Sequence, residues 1–277
     1  MNDPASEKEV KEKLRETFDD VAEGYDNPAL RYFSESAKYI PEFMDLDGNE
    51  NVLDVATGTG NAAIALAGAL PGGHVTGIDF SEGMLARAKA KIRDRGLRNI
   101  TLIPMDMQAL YFPDCFFDAA VFSFSIFFVE DMEQLLCHIL SKVKPGGKVI
   151  VTNFCEGTFS PLVDMFSERI GKYGVETPSA LRRLSTPEEC ISLFENAGLA
   201  DIRVDVKDLG YHLADAGQWW DVVWNAGLRR LLKELTPDDL EEFKKEHLKE
   251  IQELSTGEGI WLDVKVSYAI GKRPLCR

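Results

Sequence analysis

At 277 residues the chain is long enough for one large domain, or for a core with an embellishment, and too long for a mini-scaffold. Hydrophobic residues at 45% and charged residues at 28%, with Gly 22 and Pro 12 showing no low-complexity bias, exclude disorder for most of the chain. Lys plus Arg 31 against Asp plus Glu 46 leave a formal charge of -15 with no concentrated basic patch, which repels a phosphate backbone and an anionic membrane surface, so no nucleic-acid partner is expected.

Val10, Leu14, Phe18 and Val21 stand at helical spacing with charges between them, and residues 7–23 are expected to form an amphipathic helix. A second helix turns Leu30, Phe33, Ala37 and Tyr39 or Ile40 inward until Pro41, and residues 1–45 together read as a helical lid. At Asn51 the pattern changes. Val52, Leu53 and Val55 make a short apolar strand that ends in Gly58-Thr59-Gly60, and Ala62 to Leu70 reads as a helix. The βα unit recurs: His74 to Asp79 is a strand, Ser81 an N-cap, and Met84, Leu85, Ala88 and Ile92 the apolar face of a helix that stops at Gly96. Ile100 to Ile103 and Ala119 to Phe124 are the third and fourth strands. Asp131 caps a helix with Leu135, Leu136, Ile139 and Val143 inward, and Pro145-Gly146-Gly147 ends it and opens the fifth strand, Lys148 to Asn153.

Residues 156–185 mix glycine, proline and short helical stretches before Thr186-Pro187-Glu188-Glu189, a capping box with proline at the first helical position. Gly198 closes that helix and Ile202 to Val206 is strand-like. A helical insertion, residues 211–257, follows. Trp220, Trp224, Leu228, Leu231 and Leu235 share one face of it, and a helix begun by Thr236-Pro237 carries the stripe Leu240, Phe243, Leu248, Ile251 and Leu254. Leu262 to Ile270 alternates apolar and polar, as an antiparallel sheet member near an edge does. Alternating strands and helices, with strands apolar nearly throughout, predict an α/β fold: a doubly wound, seven-stranded, mostly parallel sheet built from residues 46–210 and 258–277.

The string Val52-Leu53-Asp54-Val55-Ala56-Thr57-Gly58-Thr59-Gly60 carries the chemistry. Glycines at a strand-to-helix turn let backbone approach a ligand closely, and the helix start offers unpaired N–H groups. Nineteen residues beyond Gly60 stands Asp79, where a carboxylate accepts both ribose hydroxyls of an adenosine; the plainer role for it is helix entry beside Ser81. Gly58-Thr59-Gly60-Asn61-Ala62-Ala63 also fits a dinucleotide turn. Asp54 argues against one, because a carboxylate there opposes a pyrophosphate but suits an ammonium. S-adenosylmethionine has that ammonium, a sulfonium and no phosphate.

Residues 51–155 resemble the core of a class I S-adenosylmethionine-dependent methyltransferase (a Rossmann-like fold), and in particular the ubiquinone/menaquinone-biosynthesis C-methyltransferase group and its small-molecule relatives. Four elements match in order: Leu53 to Gly60, Gly77-Ile78-Asp79-Phe80-Ser81, Pro104-Met105-Asp106-Met107, and Leu140 to Val151 around Lys144-Pro145-Gly146-Gly147. The resemblance implies Asp79 on the ribose, Phe80 and Met84 flanking the adenine, and Asp106 with the Met107 backbone at the adenine edge. It puts Gly58, Gly60 and the Ala56 carbonyl along the methionine moiety, with Asp54, Thr57, Ser123 and Phe124 completing the cofactor set. Ala56 is a departure, since many members carry glycine there.

Phe18 to Asp26 also resembles this group, which makes Tyr25 a candidate lid contact and catalytic residue and Arg31 a candidate carboxylate partner; the alternative is a helix end with a surface tyrosine and a solvated arginine. Ser123 to Asp131 lacks the histidine that many relatives place after the fourth strand. There is no Asn-Pro-Pro-Tyr string, which disfavours methylation of planar amino nitrogens. Phe124, Phe127 and Phe128 suggest an apolar wall. Acceptor selection is expected in the insertion, residues 211–257, through Tyr211, Trp219, Trp220 and Trp224, although an aromatic stripe also serves packing. His212 is a candidate base or a structural or solvated histidine; His138 and His247, on helices, are weaker candidates for a base.

The expected activity is methyl transfer by in-line displacement to a small, partly apolar or aromatic acceptor, with no metal. Two rivals stay open: an NAD(P)-dependent reductase using the same glycine turn, and a non-catalytic nucleoside-binding module. The apolar runs are too short for a membrane span, the N-terminus is polar, and Cys115, Cys137, Cys155, Cys190 and Cys276 show no C-x-x-C spacing. A cytoplasmic monomer or homodimer is expected.

Overall fold

The computed structural model describes residues 4–177 and 183–275. In chain order its elements are α1 (Pro4–Val21), α2 (Tyr32–Ala37), α3 (Ile40–Met44), β1 (Asn51–Val55), α4 (Asn61–Ala69), β2 (His74–Asp79), α5 (Glu82–Asp94), β3 (Ile100–Pro104), β4 (Phe117–Ser123), α6 (Met132–Lys142) and β5 (Val143–Phe154). There follow α7 (Leu162–Gly171), α8 (Pro187–Asn196), β6 (Ala200–Asp208), β7 (Tyr211–Leu213), α9 (Ala216–Trp224), α10 (Arg229–Leu232), α11 (Pro237–Gln252), β8 (Ile260–Leu262) and β9 (Lys265–Lys272). Two compact units share them. A sheet unit takes Tyr32–Glu156, Ala180–Leu209 and Lys265–Arg277, and a helical unit takes Met1–Arg31, Gly157–Ser179 and Gly210–Val264.

In the sheet unit seven strands lie in the order β3-β2-β1-β4-β5-β9-β6. Strands β1 to β5 pair in parallel, and β9 runs antiparallel between β5 and β6. The order reverses between β1 and β4, so the crevice of this doubly wound sheet opens at the carboxyl ends of those two strands. Leu53, Val55, Phe117, Phe122, Val149 and Val151 are buried in the sheet, and Leu135, Leu136 and Ile139 of α6 and Phe194 of α8 pack on them. Each such side chain contributes about 1.5–3 kcal/mol by leaving water.

Local chemistry sets three helix starts as expected. Ser81 accepts from Met84 N and Asp131 from Gln134 N, and Thr186 with Glu189 closes the capping box. Several expectations are corrected. Pro145-Gly146-Gly147 does not end a helix, since α6 stops at Lys142 and Val143 to Gly147 already belong to β5. Pro41 does not stop a helix but sits in the first turn of α3, where its missing N–H costs nothing. Val10 is 60% exposed, because α1 buries its face only toward its end at Val21. The insertion's first helix breaks after Trp224 into α9 and the short α10. The run Leu262 to Ile270 is two strands: β8 pairs with β7 in a separate two-stranded sheet, and β9 enters the large one, buried on both faces from Val266 to Gly271. Residues 32–45 belong with the sheet, tied there by Tyr268, whose hydroxyl donates to Ser36 O at 2.9 Å.

The helical unit is organised on α9 and α11. Trp219 and His247 are completely buried, and Trp219 Nε1 donates to His247 Nε2 at 2.8 Å. Phe243 stacks on the imidazole at 5.4 Å and Phe166 meets it edge-on at 5.6 Å. Burial pushes the His247 pKa down to about 4, with Glu250 opposing and Arg169 reinforcing. Because the folded pKa lies below the ordinary value, the neutral ring contributes stability above pH ~6.5 that is lost as pH falls toward 4, by about 3 kcal/mol. All four tryptophans lie in this unit, so fluorescence-monitored denaturation reads it directly. Stability should drop between pH 7.5 and 5, and His247→Gln should flatten that slope; an unchanged slope in the variant would exclude His247 as its source.

Candidate functional site

β1 leaves the sheet at Val55 into a turn of unusual backbone. Ala56 has φ 55°, Gly58 56° and Gly60 81°. For the two glycines this conformation is unstrained, whereas Ala56 carries a cost of about 1–2 kcal/mol that a glycine there would not. Thr57 N donates to Ile78 O at 2.8 Å and Gly60 N to Thr57 O at 2.9 Å, which binds the turn to β2 and closes it ahead of α4. Phe124, directly after β4, also has a positive φ of 55°. The strained residues therefore flank the point where strand order reverses, as backbone strain at functional crevices often does.

Two carboxylates hold this turn. Asp79, at the end of β2, accepts from Gly58 N through Oδ2 and from Ser81 N through Oδ1, each at 2.8 Å. It thus performs the helix-entry role and braces the glycine turn at once. A carboxylate offers about four acceptor positions, more than these two amides occupy. Asp54, inside β1 between Gly77 and Val121, is completely buried. Thr57 Oγ1 donates to its Oδ2 at 2.5 Å, and among the described residues Oδ1 has no hydrogen-bond partner. Burial raises the Asp54 pKa to about 7; the Thr57 hydroxyl and the Ala63 amide pull it down, the latter without closing a bond to Oδ1, and the Asp79 charge adds to the rise. Gly77 makes this possible, since a Cβ there would lie 2.8 Å from Leu102 Cδ2 and 3.0 Å from Thr57 Oγ1.

The turn fits the expected cofactor on two counts. A Cβ built on Gly58 meets nothing within 4 Å, so open space lies against that backbone. The unsatisfied Asp54 oxygen beneath it is what an ammonium-bearing ligand would satisfy, directly or through water.

The other sheet-unit candidates line the same carboxyl ends. Met105 N donates to Asp79 O at 2.9 Å, joining the end of β3 to that of β2 and setting Asp106 and Met107 beside it. Asp106 Oδ1 accepts from Gln108 N at 2.9 Å. Phe80 is partly exposed, while Met84 is buried at 1% exposure on the first turn of α5. Thr152 Oγ1 lies 3.4 Å from Ser123 Oγ. Ser125, absent from the expected set, donates to Val55 O at 3.1 Å and so fastens the loop after β4 to the glycine turn. That loop carries Phe127 and Phe128, whose rings lie 4.6 Å apart, and Arg183 donates to its carbonyls at Val129 (2.5 Å) and Glu130 (2.6 Å). Phe33 and Phe154, also not foreseen, pack on Phe124 at 5.3 and 4.5 Å. Nothing local marked them, because they come from a short helix and from the end of another strand.

The remaining candidates lie in the helical unit. Tyr25 packs edge-on against Phe18 at 6.4 Å. Arg31 lies 3.5 Å over the Tyr211 ring and donates to Pro28 O (3.4 Å) and His212 O (3.5 Å), while Tyr211 Oη donates to Ala29 O at 2.6 Å. Three candidates thus meet in one knot around β7. The His212 ring meets Trp261 at 5.0 Å and lies 3.7 Å from the Glu258 carboxylate. Trp219 is committed to His247, and Trp220 stacks on Trp224 at 5.8 Å beneath the Lys244 ammonium.

A doubly wound sheet with a glycine turn at its reversal point and an acid at the end of the second strand has the architecture of a nucleoside-cofactor transferase. Residues 52–147 match the methyltransferase domain model. The chain is 31% identical over 222 residues to the demethylmenaquinone methyltransferase of Bacillus cytotoxicus, covering 73% of this chain and 93% of that one. Among solved structures, it resembles the YcgJ protein of Bacillus subtilis with a TM-score of 0.58 at 18% identity, over 87% of this chain and 99% of that one. It also resembles a Haemonchus contortus phosphoethanolamine N-methyltransferase in complex with S-adenosylhomocysteine, with a TM-score of 0.54 at 18% identity, over 89% and 56%. The chain belongs to the class I S-adenosylmethionine-dependent methyltransferase family, related to its menaquinone group. Its cofactor is S-adenosylmethionine, and neither the reductase nor the non-catalytic reading is favoured.

Proposed function

We propose that this methyltransferase acts on a small, partly apolar aromatic acceptor, of the kind the demethylmenaquinone methyltransferases are named for. The observation that carries this reading is the ring cluster Phe33, Phe124 and Phe154 at the carboxyl ends of β4 and β5, one residue from the Ser125 bond to the glycine turn. Such a cluster favours a flat apolar molecule and disfavours a charged one. Bound S-adenosylmethionine supplies an electrophilic methyl on a cationic sulfur. The chain's own work is to bind, orient and exclude water, which is how a displacement of this type is accelerated.

In this reading Asp79 takes the ribose hydroxyls, Phe80, Met84, Asp106 and Met107 the adenine, and Asp54, Ala56, Thr57, Gly58 and Gly60 the methionine end, with Ser123 and Phe124 beside it. Phe127 and Phe128 extend the apolar wall. Tyr25 and Arg31 are assigned to the carboxylate end of the cofactor, Tyr211 and Trp220 to acceptor selection, and Tyr25 and His212 to any proton transfer, with Trp219 supporting Trp220 from the unit's interior. Among the described residues no helix is long and apolar enough to cross a membrane. Cys115, Cys137, Cys155 and Cys190 are free thiols, and on that ground the chain is assigned to a reducing, cytoplasmic setting.

The test is incubation of the purified chain with methyl-labelled S-adenosylmethionine and a panel of reduced naphthoquinones and phenols, read by mass spectrometry. A product one methyl heavier from an aromatic acceptor is the expected result. Label transferred to protein or RNA but to no small compound would overturn the acceptor assignment.

A further inference from the structure

The glycine turn is braced from inside by Asp54 and Asp79, and a third brace reaches it from outside. On α5, Met84, Ala88 and Lys91 follow one another at i, i+4 and i+7 and so share a face. Ala88 approaches the turn so closely that a Cβ on Gly60 would lie 3.2 Å from its own Cβ. One turn further along, Lys91 Nζ donates to Asn61 Oδ1 at 2.8 Å and to Thr59 Oγ1 at 3.2 Å. Thr59 is 1% exposed and Asn61 is the first residue of α4, so the ammonium grips the residues on either side of Gly60. Gly60, the N-cap, makes no side-chain cap bond of its own. Where a glycine turn must hold one conformation, its backbone entropy has to be offset by neighbouring contacts, and a charge-assisted pair of hydrogen bonds from an adjacent helix does this.

We propose that Lys91 is a positioning residue for the cofactor's amino-acid end: by fixing Thr59 and Asn61 it holds the Gly58–Gly60 backbone in the shape that receives the methionine moiety, without touching the cofactor itself. This rests on the assignment of that turn to the methionine end. The same face of α5 begins at Met84, assigned to the adenine, so a single helix couples the two halves of the cofactor site. Loss of the ammonium acts on the far half only, because the near half is held independently where Ser81 N donates to Asp79 at the entry of α5.

The test compares Lys91→Met and Lys91→Arg with the wild-type chain by calorimetry, using two probes: S-adenosylhomocysteine, and 5′-methylthioadenosine, which keeps the adenosine and the thioether but lacks the amino-acid tail. Lys91→Met is expected to weaken S-adenosylhomocysteine about tenfold and methylthioadenosine less than about twofold. Lys91→Arg, whose guanidinium also reaches two acceptors, is expected to restore the first affinity to within about threefold. Methylthioadenosine binding at wild-type strength shows in the same experiment that the variant is folded. Equal weakening of both probes, or of neither, overturns the proposal. If the wild-type chain binds methylthioadenosine and S-adenosylhomocysteine equally well, the assignment of the turn to the methionine end fails instead.

Discussion

Asp79→Ala should weaken cofactor binding severely, raising the Kd for S-adenosylhomocysteine at least about a hundredfold, because the two charge-assisted hydrogen bonds to the ribose that the proposed function gives Asp79 are each worth about 1.5–3 kcal/mol. The same substitution should lower the stability of the free protein by about 2–4 kcal/mol. Gly58 N and Ser81 N both lose their acceptor, and the latter is a buried group at the entry of α5. Methylthioadenosine should be lost to the same degree as S-adenosylhomocysteine, since both carry the ribose; this is the opposite of the pattern expected at Lys91. Asp79→Asn leaves an acceptor for one of the two amides and sets an NH2 against the other, so its stability should fall between the two. Calorimetry with both probes and urea denaturation of each variant give the comparison. An Asp79→Ala chain that bound S-adenosylhomocysteine as the wild type does would remove the ribose acid from the site.

The second large effect belongs to Asp54 and is a matter of pH. Its folded pKa of about 7 lies above the ordinary carboxylate value, so its contribution to the stability of the free protein is complete below pH ~4 and is lost as pH rises through 7, by about 4 kcal/mol. Asp54→Asn, nearly isosteric with the protonated acid and unable to ionise, should erase that slope and leave the free protein more stable than wild type above pH 7. Cofactor affinity should move the other way. An ammonium brought to the unsatisfied Oδ1 favours the carboxylate, so binding should release a proton between pH ~5 and ~7 and should weaken about tenfold or more in the variant. Binding enthalpies at pH 6 in two buffers of different ionisation enthalpy measure the release. Equal buffer dependence in wild type and Asp54→Asn would show that the proton does not come from this carboxyl.

These two carboxylates illustrate how far the amino-acid string could be followed. Both were identifiable by position, one inside the first strand and one at the end of the second, because glycine spacing and strand length are local. Their partners were not. That Thr57 caps Asp54 depends on room left by Gly77 in the neighbouring strand. That Asp79 serves the glycine turn as well as α5 depends on the parallel pairing of β1 and β2. The same holds for His247, which the sequence marks only as a weak candidate base on a helix. It stands four residues from both Phe243 and Ile251 and is part of the buried stripe, yet the indole that it accepts from lies on α9.

The sequence alone determined the alternation of strands and helices, the caps at Ser81, Asp131 and Thr186, the glycine turn and the acids beside it, because each depends on backbone sterics or on hydrogen bonds spanning only a few residues. Only the tertiary structure decided that the last apolar run divides between two sheets, that Phe33 and Phe154 join Phe124, and that Ser125 and Lys91 reach the turn. Those contacts join residues 30 to 91 positions apart, and a side chain's reach across such a separation is set by strand order and helix packing, which no short stretch of sequence encodes.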